Sequence, residues 1–177
     1  METLHRGGVY YRVCDPSWKH PLDTSFAKRS GARWNPAGAF GALYLNATLA
    51  VAAANARRNF EGEIATLYDL RPQQQPVLVE VTVTESEFVD VVTAAGLRAL
   101  RLPASYPIGV THRRCQNIAA RTYDTSDIAG VACRSNADAT ATSYLGEELA
   151  IFDRSVHLAR EQRRMTFRRW YPTESST

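Results

Sequence analysis

The run Ser30-Gly31-Ala32-Arg33-Trp34-Asn35-Pro36-Ala37-Gly38, followed closely by Ala42-Leu43-Tyr44-Leu45-Asn46, gathers residue types that suit ligand chemistry. Turn-forming residues present an arginine and an indole, and the chain then enters a short apolar segment that carries a tyrosine. A guanidinium fork holds a pyrophosphate or a ribose hydroxyl, and a tyrosine ring can stack on a planar leaving group. The combination suits a dinucleotide. The same residues also suit a plainer role, in which Trp34 and Tyr44 are core aromatics and Arg33 is a solvated loop charge.

Other arrangements of reactive residues are weaker. His5, His20, His112 and His157 are scattered, with no two on one helical turn, so no metal site is expected. Cys14, Cys115 and Cys133 are odd in number and lack C-x-x-C spacing, and they read as buried, neutral thiols in a reducing cytosol. Neither a Gly-x-Gly-x-x-Gly nor a Walker-type loop is present, and no Gly-x-Ser-x-Gly elbow supports a hydrolase triad around Ser135. Near the C-terminus Arg160, Arg163, Arg164, Arg168 and Arg169 interleave with Phe167, Trp170 and Tyr171. Backbone phosphates and stacked bases could be held there. With a formal net charge of only +3 for the whole chain, a solvated last strand or helix, or a protein contact, is the favoured reading. The positive charge is almost all arginine, since Lys19 and Lys28 are the only lysines. Arginine is the cation suited to bidentate phosphate contacts.

The elements that must position these residues follow from periodicity. Residues 8–13 alternate as a first strand, with Arg12 and Tyr10 on one face and Tyr11 and Val13 on the other. Residues 14–35 are rich in Pro, Ser, Asp and Gly and predict a long loop or short turns. Residues 42–45 form a brief strand, and Thr48 caps an alanine-rich helix over 49–60 that ends near Gly62. Further strands are predicted over 77–84, 128–133 and 149–152, and helices over 93–102 and 111–123, with a small-residue loop over 136–146. The 177 residues, 45% hydrophobic, are enough for one core and one domain. Strands and isolated helices without regular βαβ alternation indicate an α+β fold. No apolar run is long enough to span a bilayer and no apolar leader stands at the N-terminus, so a cytoplasmic protein with no membrane contact is expected.

Around Arg33 and Tyr44 the chain resembles the RES family, whose signature runs Gly-Gly-Arg-(Trp/Phe)-Asn-Pro-x-Gly, a short gap, then Leu-Tyr-Leu. The likeness extends from about Tyr10 to Phe152, with an arginine-rich tail from residue 156 outside it. It implies a single domain with an ADP-ribosyltransferase-like split β-sheet and flanking helices. It also implies a toxin of a toxin–antitoxin pair that takes NAD⁺ as substrate and breaks the nicotinamide–ribose bond by hydrolysis or phosphorolysis. The alternative is an ADP-ribosyltransferase that modifies a protein acceptor. The implied partner is an antitoxin with an Xre-like region, through which alone nucleic acid would be reached. A non-catalytic protein that still engages its antitoxin is the reading of another class.

Carried over position by position, the resemblance assigns Arg12 and Arg33 to phosphate and ribose contacts and Tyr44 to nicotinamide, with Trp34 beside them. Gly130-Val131-Ala132-Cys133-Arg134-Ser135 mirrors Gly-Ile-x-Tyr-Pro-Ser, which gives Ser135 a place against a ribose or the carboxamide, or else simply at a strand-end turn. The family's glutamate, on the helix after Leu-Tyr-Leu, falls at Asn55. Three readings follow: Asn55 serves in its place; another acid reaches the site, with Glu61, Glu63 or Glu147 as candidates; or the protein binds without turnover. The first is placed slightly ahead of the second.

Overall fold

The computed structural model describes residues 1–58, 60–62 and 65–172. Two long strands set its frame. Strand β1 (Thr3–Cys14) runs antiparallel to β3 (Val77–Val91) from the Thr3↔Val89 pair to the Cys14↔Val77 pair. Both strands are longer than the alternation predicts. The polar stretch Thr84, Glu85, Ser86, Glu87 breaks the apolar pattern of β3, yet its backbone stays in the ladder because β1 shifts register between Arg6 and Gly8 to follow it. Gly7 and Gly8 make that bulge possible: a Cβ on Gly7 would sit 2.7 Å from the Glu85 Cα, and Gly8 has φ +98°.

The remaining strands are β2 (Ala42–Asn46), β4 (Gly130–Arg134), β5 (Glu147–Phe152) and β6 (Ala159–Met165). They divide the sheet into two halves. In one, β3 lies between β1 and β6; in the other, β5 lies between β2 and β4. The halves join through a short parallel pairing of β3 with β4, from Phe88↔Gly130 to Val91↔Cys133. On the far side they meet at a single residue pair, Tyr11↔Asn46. There the Asn46 amide donates to the Tyr11 carbonyl at 3.0 Å. This is an α+β domain with a six-stranded mixed sheet split into two parts.

The helices cover the faces of this sheet. Helix α2 (Leu49–Arg58) buries Val51, Ala52, Ala53, Ala54 and Ala56, the small side chains letting it lie close to β1 and β2. Helices α3 (Ala94–Ala99) and α4 (His112–Thr125) are capped by Thr93 and Thr111, whose side chains accept from the Gly96 and Arg114 amides. Cys115, Ala119 and Thr122 form the buried stripe of α4, as their spacing predicts, with Ile118 partly buried beside them.

Two sequence expectations are corrected. The segment after β1 contains a short helix, α1 (Ser25–Ser30), whose lack of any buried residue explains why no apolar period announces it. The arginine-rich tail is part of the fold: β6 pairs with β3, and α5 (Phe167–Trp170) turns Phe167, Trp170 and the following Tyr171 into a cluster with Ala52, Ala53, Ala56 and Leu78. Its aromatic rings are therefore committed to packing. Arg163 pairs with Glu80 and Arg164 with Glu161 on the solvent side.

Candidate functional site

A cleft of about 580 Å³ opens beside the single-pair joint between β1 and β2. Of the residues singled out by sequence, Arg12, Arg33, Trp34, Tyr44 and Asn55 all line it. The cleft also takes in Asn46, Arg58, His112, Asn136 and Glu148, none of which sequence reasoning had placed at a site.

The Arg33 loop is held by its neighbours in sequence. Gly31, at φ +68°, ends α1, and Ala32 and Asn35 bridge each other through their backbones. The fully buried Asn35 donates from its amide to the Ala27 carbonyl at 2.7 Å. Trp34 is 1% exposed and donates its indole N–H to the Cys133 sulfur at 3.2 Å. It forms the floor of the cleft and belongs to the core. Tyr44 closes the arrangement: its hydroxyl accepts from the Trp34 amide and donates to the Asn35 side-chain oxygen, both at 2.9 Å. Burial pushes that phenol well above its ordinary value, so it stays protonated and can keep both bonds. Tyr44 thus latches the loop as well as lining the cleft. Tyr44→Phe is expected to destabilise the fold by about 1–3 kcal/mol in urea unfolding, because the Trp34 N–H and the Asn35 oxygen lose their partner. A change below about 0.5 kcal/mol would contradict the latch.

The cleft's charges are unevenly matched. Three arginines, Arg12, Arg33 and Arg58, face one carboxylate, Glu148. Arg12 extends over the Trp18 ring at 5.5 Å, and desolvation lowers its pKa. Arg33 and Arg58 share the Asn136 carbonyl oxygen, with Arg33 Nη2 at 3.1 Å. Among the described residues Arg12 Nη1 and Arg33 Nη1 are buried without a well-aligned hydrogen-bond acceptor, Arg12 lying beside the Cys14 thiol and Arg33 beside that of Cys115. Burying a charged N–H this way costs free energy. Burial, with Arg33 and Arg58 nearby, lowers the pKa of His112, which favours the neutral imidazole at the rim.

The acid of the site comes from β5. Glu148 lies opposite Asn46 on one side and Cys133 on the other. Its Oε1 accepts from Asn55 Nδ2 at 2.7 Å and from Ser135 Oγ at 2.6 Å. Asn55 also donates to the Asn46 side-chain oxygen at 2.8 Å. Ser135 corrects its expected placement: it is fully buried, does not line the cleft, and reaches it only through Glu148. Of the acids considered from sequence, Glu147 points to the other face and pairs with Arg6 at 2.9 Å. Glu61 does not line the cleft but stands in an adjoining hollow that shares Arg58 and Asn136 with it, and Glu63 lies outside the described residues. Strand alternation separates Glu147 from Glu148. That alternation was the available signal, but the predicted strand began two residues too late, at Leu149.

All three cysteines are buried and unpaired, and burial raises each thiol, that of Cys14 to about 11. Among the described residues no three His, Cys, Asp or Glu side chains are grouped to hold a metal. No helix among them is long and apolar enough to cross a membrane.

The RES domain profile matches residues 9–172, nearly the whole chain. The chain belongs to the RES domain family. The match runs past Phe152, where the resemblance was expected to stop, and so takes in β6 and α5. A solved structure titled as the M. tuberculosis MbcT–MbcA toxin–antitoxin complex contains a chain of the same fold. The TM-score is 0.75 at 18% identity, over 93% of this RES domain and 86% of that chain. No curated protein matches the sequence.

Proposed function

We propose that this RES domain binds NAD⁺ in the cleft between Arg12, Arg33 and Tyr44, cleaves its nicotinamide–ribose bond, and serves as the toxin of a toxin–antitoxin pair. The convergence of three guanidinium groups, Arg12, Arg33 and Arg58, on one cleft carries this reading. Such groups suit a diphosphate, whose oxygens accept in a bidentate manner. The cleft volume falls within the usual range for small-molecule sites. A second hollow of about 530 Å³ shares Arg12, Trp18, Ala32 and Tyr44 with it and extends the surface.

In this reading the arginines hold the pyrophosphate and fix the position of the nicotinamide ribose. Tyr44 frames the nicotinamide ring, with its hydroxyl already committed to the loop. The C1′–N bond breaks with its electron pair going to nicotinamide, which leaves as a neutral ring. An acceptor oxygen forms the new bond to C1′. Water gives ADP-ribose and a proton, inorganic phosphate gives the 1″-phosphorylated product, and a protein side chain gives an ADP-ribosylated protein. The partner is an antitoxin, in keeping with the family resemblance and with the toxin–antitoxin complex named for the structural neighbour. Expressed alone, the protein is expected to arrest growth and deplete cellular NAD⁺, and co-expression of the antitoxin is expected to prevent both. Harmless expression with an unchanged NAD⁺ pool would favour the non-catalytic reading.

A further inference from the structure

Among the described residues one carboxylate, Glu148, lines the cleft, and its hydrogen bonds are unusual for a surface acid. Oε1 of Glu148 receives two donors from different parts of the chain: Asn55 on α2, 93 residues away, and the buried Ser135 just after β4. Each donor is itself held. Asn55 is tied to Asn46, which is bonded to the β1 backbone, and Ser135 Oγ accepts from the Ala137 amide. Both donors fall on Oε1, and among the described residues Oε2 receives no donor. The carboxylate is therefore fixed in rotation, with one oxygen committed to the protein and the other free for a ligand. It stands on the central strand of its half-sheet, a rigid support, in a cleft whose other charges are cationic.

We infer that Glu148 is the catalytic carboxylate of this chain and that Asn55 and Ser135 are its positioning residues, an inference that rests on the NAD⁺-cleaving function proposed above. As the C1′–N bond lengthens, positive charge builds on C1′ and the ring oxygen. A fixed carboxylate oxygen stabilises that charge electrostatically without reorganising, and it accepts a hydrogen bond from a ribose hydroxyl. It forms no bond to carbon: the electron pair leaves with nicotinamide, and the acceptor oxygen, from water or phosphate, closes the C1′ valence. When water is the acceptor, its proton passes to solvent. The amide at position 55 is not a weakened acid in this arrangement. It is the donor that an acid on the facing strand needs.

The direct pairing of Asn55 and Glu148 makes their roles exchangeable, and this supplies the test. Purified wild type, Glu148→Gln, Glu148→Asn, Asn55→Ala, Ser135→Ala and the reciprocal Asn55→Glu/Glu148→Asn variant are assayed for nicotinamide release from NAD⁺, with thermal unfolding measured on each. Glu148→Gln keeps the size and hydrogen-bonding atoms of the side chain and removes its charge, and is expected to lower kcat on the order of 10² to 10³-fold with little change in KM. Asn55→Ala and Ser135→Ala are expected to lower kcat while leaving KM close to wild type, with unfolding midpoints well above the assay temperature, so that the loss is not one of folded protein. The reciprocal variant returns a carboxylate to the same contact and is expected to recover about tenfold over Glu148→Asn alone. If Glu148→Gln is not folded, Glu148→Asp, which withdraws the carboxylate by one methylene, is expected to show the same kcat loss. An active wild type with an equally active, folded Glu148→Gln overturns the inference and leaves the NAD⁺ reading standing. A wild type with no release overturns both.

Discussion

The double variant Arg12→Ala/Arg33→Ala is expected to lose roughly 10² to 10⁴ in kcat/KM for NAD⁺, because each guanidinium contributes charge-assisted hydrogen bonds worth about 1.5–3 kcal/mol. The free protein is expected to respond in the other direction. Among the described residues Arg12 Nη1 and Arg33 Nη1 are buried without a well-aligned acceptor, and desolvation already lowers the pKa of Arg12. Removing cations in that state relieves a cost, so the melting temperature of the unliganded variant should equal or exceed that of wild type. The ligand-induced shift should vanish. In wild type, NAD⁺ at a hundred times its dissociation constant adds about 2.7 kcal/mol of stability, and the variant should gain almost none at the same concentration. Lysine at both positions should not restore binding, since a mobile point charge does not reproduce two planar forks. A double variant that binds NAD⁺ as tightly as wild type would remove the anion site from this account.

Trp34→Ala should produce the largest loss of stability among the site residues. The indole is 1% exposed, lies in the cluster with Phe40, Tyr106, Val131 and Phe152, and donates to Cys133. Truncating such a side chain costs about 3–5 kcal/mol in transfer and cavity terms. Against a typical domain stability of about 5–15 kcal/mol, that is enough to unfold much of the protein near physiological temperature. Equilibrium unfolding in urea reads the change as a shift in midpoint at constant slope. A loss below about 1.5 kcal/mol would mean that the floor of the cleft is not part of the core. The two variants separate the halves of the Arg33–Trp34 dipeptide: the first residue binds at the expense of stability, and the second supplies stability beneath it.

How much of this was legible in the sequence depended on how far apart the interacting residues lie. The Arg33–Tyr44 region could be read directly, since the loop, its arginine, the indole and the tyrosine latch fall within a few positions of one another. Strands β2, β4 and β5 and helices α2, α3 and α4 were found close to their bounds, because their apolar residues repeat with the period of the element. What was missed lacked such a period. Helix α1 buries nothing, the middle of β3 is polar, and in β6 the residues Arg160 to Arg164 are all exposed, so none of the three shows a one-sided pattern.

The acid was missed for a related reason. Glu148 meets Asn55 and Ser135 only once β5 has been laid between β2 and β4, and no local pattern marks a contact spanning 93 residues. The adjacent acids Glu147 and Glu148 held a usable hint, because a strand sends neighbours to opposite faces and only one could meet Arg6. Of the three readings opened by Asn55, the one in which another acid serves is proposed above, with Glu148 in that role in place of its neighbour. Ser135, expected against the ligand, is instead buried and donates to Glu148.

Nicotinamide release from NAD⁺ by the purified chain, followed by chromatography with and without inorganic phosphate, decides whether the cleft cleaves NAD⁺. Release is expected to rise in proportion to protein concentration and to be lost in Arg12→Ala/Arg33→Ala, with ADP-ribose or its phosphorylated counterpart as the second product. NAD⁺ that remains intact with the folded wild-type protein under both conditions would contradict that function.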